Sequence, residues 1–306
     1  MAEPKFRGIF PPILTPLKPD ETVDRASMKR LVDYLIENGV HGIWATGTTG
    51  EFACIAPKER LAAMEAIVEA VNGRVPIIAN IGDGSTGLSV QRGLDIKHLK
   101  VDAVASTPPY YYPDSQDELL EHFRYIRSQI DRPLFIYNIP QTVKVTVNPA
   151  TIVQLAKEGT AVGIKDSSGA GELLAEMNIL LDLAKVKFAR FLGTWARISS
   201  IRGVGVEGAI PSGANLFAKF AVKSYEAGEA GNVVEARKWD DLMIKATRVT
   251  ALGKGGCPNA GTIAGLKAAL KIMGILDHDT VSRPLRPYTE DEKAKIPALL
   301  KEVGLL

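Results

Sequence analysis

Cysteine is scarce in this chain: only Cys54 and Cys257 occur among its 306 residues. The two are far apart in the sequence, and neither belongs to a CxxC or Cys/His spacing. This scarcity argues against a disulfide framework and against a structural zinc site.

The chain also lacks an excess of charge of one sign. Its 37 basic and 35 acidic residues give a net charge of +2 and are scattered along the sequence. Without a basic stripe or a polybasic run, we expect no binding to nucleic acid or to an anionic membrane surface. Residues 1–7 lack the charged-then-apolar form of a signal peptide, and no apolar run is long enough to span a bilayer. We therefore expect a soluble, cytoplasmic protein.

Short apolar runs alternate with amphipathic stretches of helical period along most of the chain. Eight units of about 25 residues each predict an α/β protein with a (β/α)₈ TIM barrel. The near-continuous apolar runs are typical of parallel strands that are covered on both faces. A doubly wound sheet shares the alternation, but no GxGxxG follows the first run. The predicted strands lie near residues 8–16, 42–48, 76–81, 101–106, 133–139, 161–165, 188–192 and 206–211.

The alternation stops after about residue 225. Residues 231–252, 262–273 and 290–303 predict three helices without intervening strands. We therefore expect a barrel domain over residues 1–224 and a C-terminal helical segment, residues 225–306, packed on the barrel.

Lys165 follows a largely apolar run and precedes a polar turn, which predicts a buried strand with a lysine near its carboxyl end. Burial disfavours the ammonium form because the charge loses its hydration. A free amine beside a pocket can attack a ketone and form a Schiff base. The alternative is a lysine that reaches out to solvent or pairs with Asp166.

Other predicted strands also end in polar segments, and in a TIM barrel the chemistry collects at these ends. The turn GTTGE, residues 47–51, offers hydroxyls and glycine-flanked amides to a small carboxylate, or is simply a capped glycine-rich turn. The segment PPYYYP, residues 108–113, suits either surface aromatics or an oligomer contact. Tyr137 either transfers protons or is a core tyrosine with a satisfied hydroxyl. The eighth strand ends in residues 209–215.

The segments GTTGE, PPYYYP, YNIP (residues 137–140) and GIKDSS (residues 163–168), in this order, resemble the dihydrodipicolinate synthase / N-acetylneuraminate lyase family of class I aldolases. The resemblance covers essentially the whole chain. It implies a TIM barrel that acts on pyruvate or another 2-oxo acid through a lysine imine. It also implies that no metal or organic cofactor is needed, and that the protein is a homotetramer built as a dimer of dimers.

The same resemblance implies roles for single residues. Lys165 is expected to form the Schiff base, and Tyr137 to move protons and orient the substrate. Thr48, Tyr137 and Tyr111 of the partner subunit are expected to form a proton relay.

The resemblance also implies a binding site for the 2-oxo acid. Thr49 and the amides of the turn that begins at Gly47 are expected to hold the carboxylate. The carbonyl group of Ile210 is expected to face the pyruvyl group.

Two departures from the family pattern bear on the second substrate. The lysine-pathway synthase has an arginine just after the YNIP segment that receives the second carboxylate, whereas this chain has Thr142, with Lys144 as a nearby alternative charge. A threonine cannot replace the bidentate arginine fork. The sialic acid lyases have an acidic pair after the seventh strand, which residues 193–197 lack. Trp195 in this segment offers a stacking wall or is a core residue.

Ser167, Ser212 and Thr142 remain as neutral hydrogen-bonding groups, which suit a hydroxylated substrate. Our first hypothesis is a Schiff-base aldolase or dehydratase acting on a 2-keto-3-deoxy sugar acid or a related 2-oxo acid. The alternatives are 4-hydroxy-tetrahydrodipicolinate synthase, which condenses pyruvate with aspartate semialdehyde, and a catalytically silent 2-oxo acid binder. A dinucleotide enzyme lacks its fingerprint.

Overall fold

The structure, a computed structural model, describes residues 6–196 and 198–306. Most of the segment examined for a signal peptide, residues 1–5, lies outside this range, as does Arg197 of the segment after the seventh strand. Eight parallel strands form one sheet in the order β1-β8-β7-β6-β5-β4-β3-β2. They are β1 Gly8–Ile9, β2 Ile43–Ala45, β3 Ile77–Asn80, β4 Ala103–Ser106, β5 Leu134–Asn138, β6 Gly163–Asp166, β7 Ala189–Leu192 and β8 Gly208–Ala209.

The sheet closes into a ring between β1 and β2. Trp44 N donates to Pro11 O at 3.0 Å, and Ile13 N donates to Trp44 O at 3.0 Å, which joins the segment after β1 to β2. β1 also pairs with β8. The predicted TIM barrel is therefore confirmed, and the doubly wound alternative is excluded because its sheet stays open.

Helices alternate with the strands of the ring, and further helices form the C-terminal segment. They are α1 Arg25–Glu37, α2 Pro57–Val71, α3 Thr86–Asp95, α4 Gln116–Gln129, α5 Pro140–Val143, α6 Pro149–Lys157, α7 Gly171–Ala184, α8 Ala214–Glu229, α9 Val233–Thr247, α10 Pro258–Ile272, α11 Glu290–Lys293 and α12 Ile296–Glu302. Helix α4 shows why such segments form: Ser115 and Glu118 make a capping box. Its buried side chains then recur at helical spacing and form one apolar stripe against the sheet.

The core has two layers, because side chains alternate between the two faces of each strand. Ile136 and Ile164 point outward into the layer between sheet and helices. Phe135 and Tyr137 point into the barrel, where the side chains form a separate inner cluster. Gly163 makes room there, since a Cβ at this position would lie 2.3 Å from the ring of Phe135.

The C-terminal segment consists of helices without strands, as predicted, but its boundaries differ from the prediction. The first helix starts at Val233, because the Asn232 side chain caps it, and its end tightens into a 3₁₀ turn over Arg248–Ala251. The second starts earlier than expected, at Pro258. The single helix predicted over residues 290–303 is wrong. Pro297 lacks the N–H needed to continue α11 and instead lies in the first turn of α12.

The expected division between residues 224 and 225 falls inside α8. Helix α8 packs extensively against α9, so the barrel and the C-terminal helices share one hydrophobic layer. The assignment of residues 1–224 and 225–306 to separate units stays a prediction.

Candidate active site

Lys165 and Tyr137 are register partners on neighbouring strands and both point into the barrel. Lys165 is 3 % exposed, and its Nζ lies 4.1 Å from the centre of the Tyr137 ring and 5.0 Å from that of the Trp44 ring. Aromatic faces at these distances attract a cation, which opposes part of the cost of burying the charged form. The amine of Lys165 is thus held inside the carboxyl end of the barrel.

Asp166, the residue next to Lys165, is engaged elsewhere. Asn138 Nδ2 donates to Asp166 Oδ1 at 2.8 Å, and Ser168 Oγ donates to Oδ2 at 2.9 Å. Burial raises the pKa of the Asp166 carboxyl group, and these hydrogen bonds oppose the rise. The carboxylate therefore fixes the ends of β5 and β6 together and does not point at the lysine amine.

Tyr137 makes the hydrogen bond that a relay needs. Its side chain is 1 % exposed, and its hydroxyl lies 3.1 Å from Thr48 Oγ1, with either oxygen able to donate. The partner of this buried hydroxyl is another hydroxyl at the barrel mouth, not a backbone carbonyl. Such a pair can pass a proton in either direction.

The turn that carries Thr48 is fixed by its neighbours. Thr46 has a positive φ of 47° and exchanges two hydrogen bonds of 2.9 Å with Asn80 on β3. A Cβ on Gly47 would lie 2.7 Å from Trp44 Nε1, so this position needs glycine. The carbonyl of Gly50 accepts a hydrogen bond of 2.7 Å from the Thr15 hydroxyl. The turn is therefore rigid before any ligand arrives.

Of the residues predicted to bind the 2-oxo acid, Thr49 is 8 % exposed and Gly47 is buried beside Trp44. Ile210 is 1 % exposed and belongs to the inner cluster that contains Tyr137. The strand ends thus gather Lys165, Tyr137, Thr48, Thr49, Gly47 and Ile210 at one end of the barrel.

The three neutral residues predicted near the second substrate are more peripheral. Ser167 and Ser212 are half-buried, and Thr142 is exposed at the end of α5. The Thr142 hydroxyl donates to Ile139 O at 3.0 Å. Lys144 Nζ donates to Gln141 O at 3.2 Å on the surface, so it does not replace the missing arginine.

The tyrosine-rich loop divides into a packed part and an exposed part. Tyr110 donates to Asp83 Oδ1 at 3.1 Å and packs edge-on against Phe52. Tyr111 has a positive φ of 105° and is 89 % exposed, and its ring contacts that of the exposed Tyr112. Tyr111 is presented outward by a strained backbone, so its predicted role in a relay concerns a second copy of the chain.

A cavity of about 220 Å³ opens beside Thr48, between the GTTGE turn and the C-terminal helices. Its wall includes Phe52, Tyr110, Val143 and Leu285, and no arginine or lysine of the described residues lines it. The described lining therefore offers apolar surface, hydroxyl groups and the Asn259 amide, but no cation to pair with a carboxylate.

Trp195, in the segment after β7, packs against the outer core layer. Its contacts favour a core tryptophan over a stacking wall for a sugar chain. In residues 6–196 and 198–306, no three His, Cys, Asp or Glu side chains group as metal ligands. Within the same ranges no helix combines the length and apolar character needed to span a bilayer.

Sequence reasoning missed two residues of this region, Trp44 and Lys267. Trp44 lies against Lys165, and the period-2 alternation of β2 already places it on the inward face. Lys267 lies in the apolar stretch of α10 and forms a fully buried ion pair with Glu51 of the GTTGE turn. A lysine inside the buried stripe of an apolar helix is the signal that identifies it.

Comparison with known proteins identifies the family of this chain. A model of the Dihydrodipicolinate synthetase family matches residues 5–303. The chain belongs to this family. Members of the dihydrodipicolinate synthetase family are class I aldolase-type lyases, and this chain is accordingly a Schiff-base-forming lyase.

Individual relatives cover nearly the whole chain. The 4-hydroxy-tetrahydrodipicolinate synthase of Teredinibacter turnerae is 32% identical over 301 residues, 98% of this chain and 100% of the relative. An uncharacterized DapA-like lyase of Halobacterium salinarum is 30% identical over 301 residues, 98% of this chain and 95% of the relative. The solved dihydrodipicolinate synthase of Bacteroides thetaiotaomicron has a TM-score of 0.92 at 31% identity, with 99% of this chain and 100% of that chain covered.

Proposed function

We propose that this chain is a Schiff-base aldolase or dehydratase that takes pyruvate, a 2-keto-3-deoxy sugar acid or a related 2-oxo acid, and whose second half-substrate carries no carboxylate. The observation that carries the first part is the Lys165 amine buried beside the Tyr137–Thr48 hydroxyl pair. An amine, a proton relay and a rigid turn of amides are the parts that imine chemistry on a 2-oxo acid requires.

The proposed reaction begins when Lys165 Nζ adds to the C2 carbonyl of the 2-oxo acid and water leaves. The resulting iminium withdraws electrons from C3. Loss of a C3 proton, or cleavage of the C3–C4 bond, leaves its electron pair as the enamine double bond and neutralises the nitrogen. Tyr137 and Thr48 take the proton from the C4 hydroxyl when the C3–C4 bond breaks, and in the reverse direction they give it to the oxygen of the aldehyde that the enamine attacks. Thr49 and the amides near Gly47 hold the carboxylate.

The substrate beyond C4 is proposed to be neutral because of what surrounds the site. Thr142 stands where an arginine would bind a second carboxylate, and Lys144 turns away to Gln141 O. Among the residues that the structure describes, no lysine or arginine lines the cavity beside Thr48. Ser167 and Ser212, half-buried after β6 and β8, are the hydroxyl groups proposed to bind the sugar-acid chain. Condensation of pyruvate with aspartate semialdehyde, the activity named for the Teredinibacter turnerae relative, is the second candidate.

We also propose that the assembled protein is a homotetramer, located in the cytoplasm, in which Tyr111 completes the relay of a neighbouring subunit. Tyr111 is 89 % exposed on a backbone with a positive φ of 105°, which leaves its ring available to a second subunit. The proposal needs no cofactor.

The deciding experiment for the chemistry is borohydride trapping with pyruvate, followed by intact-mass measurement. Wild type should gain one reduced pyruvyl group, and Lys165→Ala should gain none. The matched control is Lys144→Ala, which removes an exposed lysine near the barrel mouth and should trap as wild type does. Folded wild type without an adduct would refute the imine mechanism. A panel of neutral aldehydes and aspartate semialdehyde then identifies the partner.

A further inference from the structure

Glu51 and Lys267 form an ion pair that is completely buried. Lys267 Nζ contacts Glu51 Oε1, and both side chains are 0 % exposed. Lys267 also donates to Thr280 O at 2.7 Å, while Glu51 Oε2 accepts from Ser282 N at 2.6 Å and from Ser282 Oγ at 2.7 Å. Each charge is thus paired and hydrogen-bonded, which is the condition for burying it without a large loss of stability.

The pair connects two parts of the chain that are more than two hundred residues apart. Glu51 is the last residue of the GTTGE turn after β2, and Lys267 lies in the middle of α10 in the C-terminal segment. Glu51 has a positive φ of 62°, a conformation that a residue other than glycine keeps only when its surroundings fix it. The ion pair and Ser282 supply that fixation.

A short series of contacts leads from this pair to the relay. Glu51 N donates to Thr48 O at 3.0 Å, which closes the turn on the residue whose hydroxyl meets Tyr137. Thr48 Oγ1 lies 3.1 Å from the Tyr137 hydroxyl. A shift of Glu51 therefore moves Thr48 directly, and a proton relay loses rate steeply when its hydrogen bond is misplaced.

We propose that Lys267 is a positioning residue: by holding Glu51 from the C-terminal helix α10, it sets the place of the Thr48 hydroxyl in the proton relay. This inference rests on the proposed imine chemistry and adds to it a role for the C-terminal segment. It gives a role to a lysine whose side chain is fully buried. Burial lowers the pKa of Lys267, and the Glu51 carboxylate opposes this effect.

The test measures how fast deuterium from solvent replaces the C3 protons of pyruvate, together with the borohydride-trapped imine. Lys267→Met should keep the imine and lose at least tenfold in exchange rate. The control is Lys271→Met, which removes a lysine from the same helix but only a surface ion pair with Asp279, and it should exchange as wild type does.

A second background separates positioning from a general structural role. In Thr48→Val the relay hydroxyl is already absent. Adding Lys267→Met to this variant should therefore lower the exchange rate by less than a further twofold, because two changes that act through one group are not additive. The inference would be overturned if Lys267→Met lowered the exchange rate by the same factor with and without Thr48→Val, or did not lower it at all. If Lys267→Met does not fold, the neutral pair Glu51→Gln/Lys267→Met, which leaves no lone buried charge, takes its place in both backgrounds.

The wild type distinguishes the two levels of the argument. Wild type without adduct or exchange refutes the proposed function, and the positioning role with it. If wild type shows both the adduct and the exchange, and Lys267→Met exchanges at the wild-type rate, only the positioning role is refuted.

Discussion

The amine of Lys165 lies 4.1 Å from the centre of the Tyr137 ring, and the two residues are register partners on adjacent strands. Parallel pairing places both side chains on the inner face of the barrel, so the register of the two strands fixes their relative position. The aromatic face shields the amine from water while the phenol oxygen remains free to meet Thr48. One cross-strand pair thus supplies both the nucleophile and the proton carrier of the proposed reaction.

Tyr137→Phe should abolish most turnover while leaving the imine intact. Loss of a positioned acid–base group costs about 10² to 10⁴ in rate, whereas the lost hydrogen bond costs only about 1 kcal/mol of stability. The measurement is kcat beside the yield of borohydride-trapped adduct. The matched control is Tyr34→Phe, whose hydroxyl donates to Leu216 O away from the barrel mouth. Unchanged kcat in Tyr137→Phe would remove this residue from the relay.

Thr142→Arg should make the enzyme accept a carboxylate on its second substrate. A bidentate arginine–carboxylate bond contributes about 1.5 to 3 kcal/mol, so the KM for aspartate semialdehyde should fall about tenfold or more. Steady-state kinetics with pyruvate at saturation measure this. Gln141→Arg, one residue earlier on α5, is the control and should have no such effect. If wild type already uses aspartate semialdehyde well, the proposal of a neutral partner is wrong.

Tyr111 should act across a subunit boundary. Lys165→Ala and Tyr111→Phe, co-expressed with different tags and purified as mixed oligomers, should recover activity on the order of a quarter of wild type. About half of the subunit pairs contain one chain of each variant. Each such pair has one complete site, in which Lys165 of the Tyr111→Phe chain meets the intact Tyr111 of the other chain. Lys165→Ala mixed with Tyr137→Phe is the control, since both changes fall within one chain's site and no hybrid is complete. Equal behaviour of the two mixtures would contradict a relay shared between subunits.

His122 should make the protein less stable as the pH falls through the acid range. Burial lowers the pKa of His122 from 6.5 to about 4, against a weaker opposing hydrogen bond to Thr107 O. Between these values the unfolded chain binds a proton that the folded chain does not, so stability is complete above pH 6.5 and is lost progressively toward pH 4. The loss amounts to about 3 kcal/mol.

Urea unfolding at several pH values measures this slope. His122→Gln should flatten it between pH 6.5 and 4, whereas His98→Gln, at an exposed position, should leave it unchanged. A slope that survives in His122→Gln would assign the acid sensitivity to other groups.

The sequence by itself determined the repeating architecture. Apolar runs of strand length alternating with helical stripes predict eight parallel strands, because each run must be covered on both faces. Seven strands lie within the predicted ranges, and β6 extends one residue beyond its range, to Asp166. It also placed polar residues at particular strand ends, since Lys165, Tyr137 and the GTTGE turn each follow an apolar run. Helix ends were less predictable. Asn232 and Pro297 set them through local capping and a missing N–H, which outweigh hydrophobic period.

Only the tertiary structure decided how the polar residues at the strand ends are joined. The hydrogen bond between Thr48 and Tyr137 spans 89 positions of sequence, and the ion pair between Glu51 and Lys267 spans most of the chain. Sequence periodicity reports the face on which a residue lies and not the residue opposite it, because pairing across the barrel depends on closure of the whole ring. The location of Lys267 within a buried stripe was readable in advance, whereas its partner became known only when α10 was packed against the turn after β2.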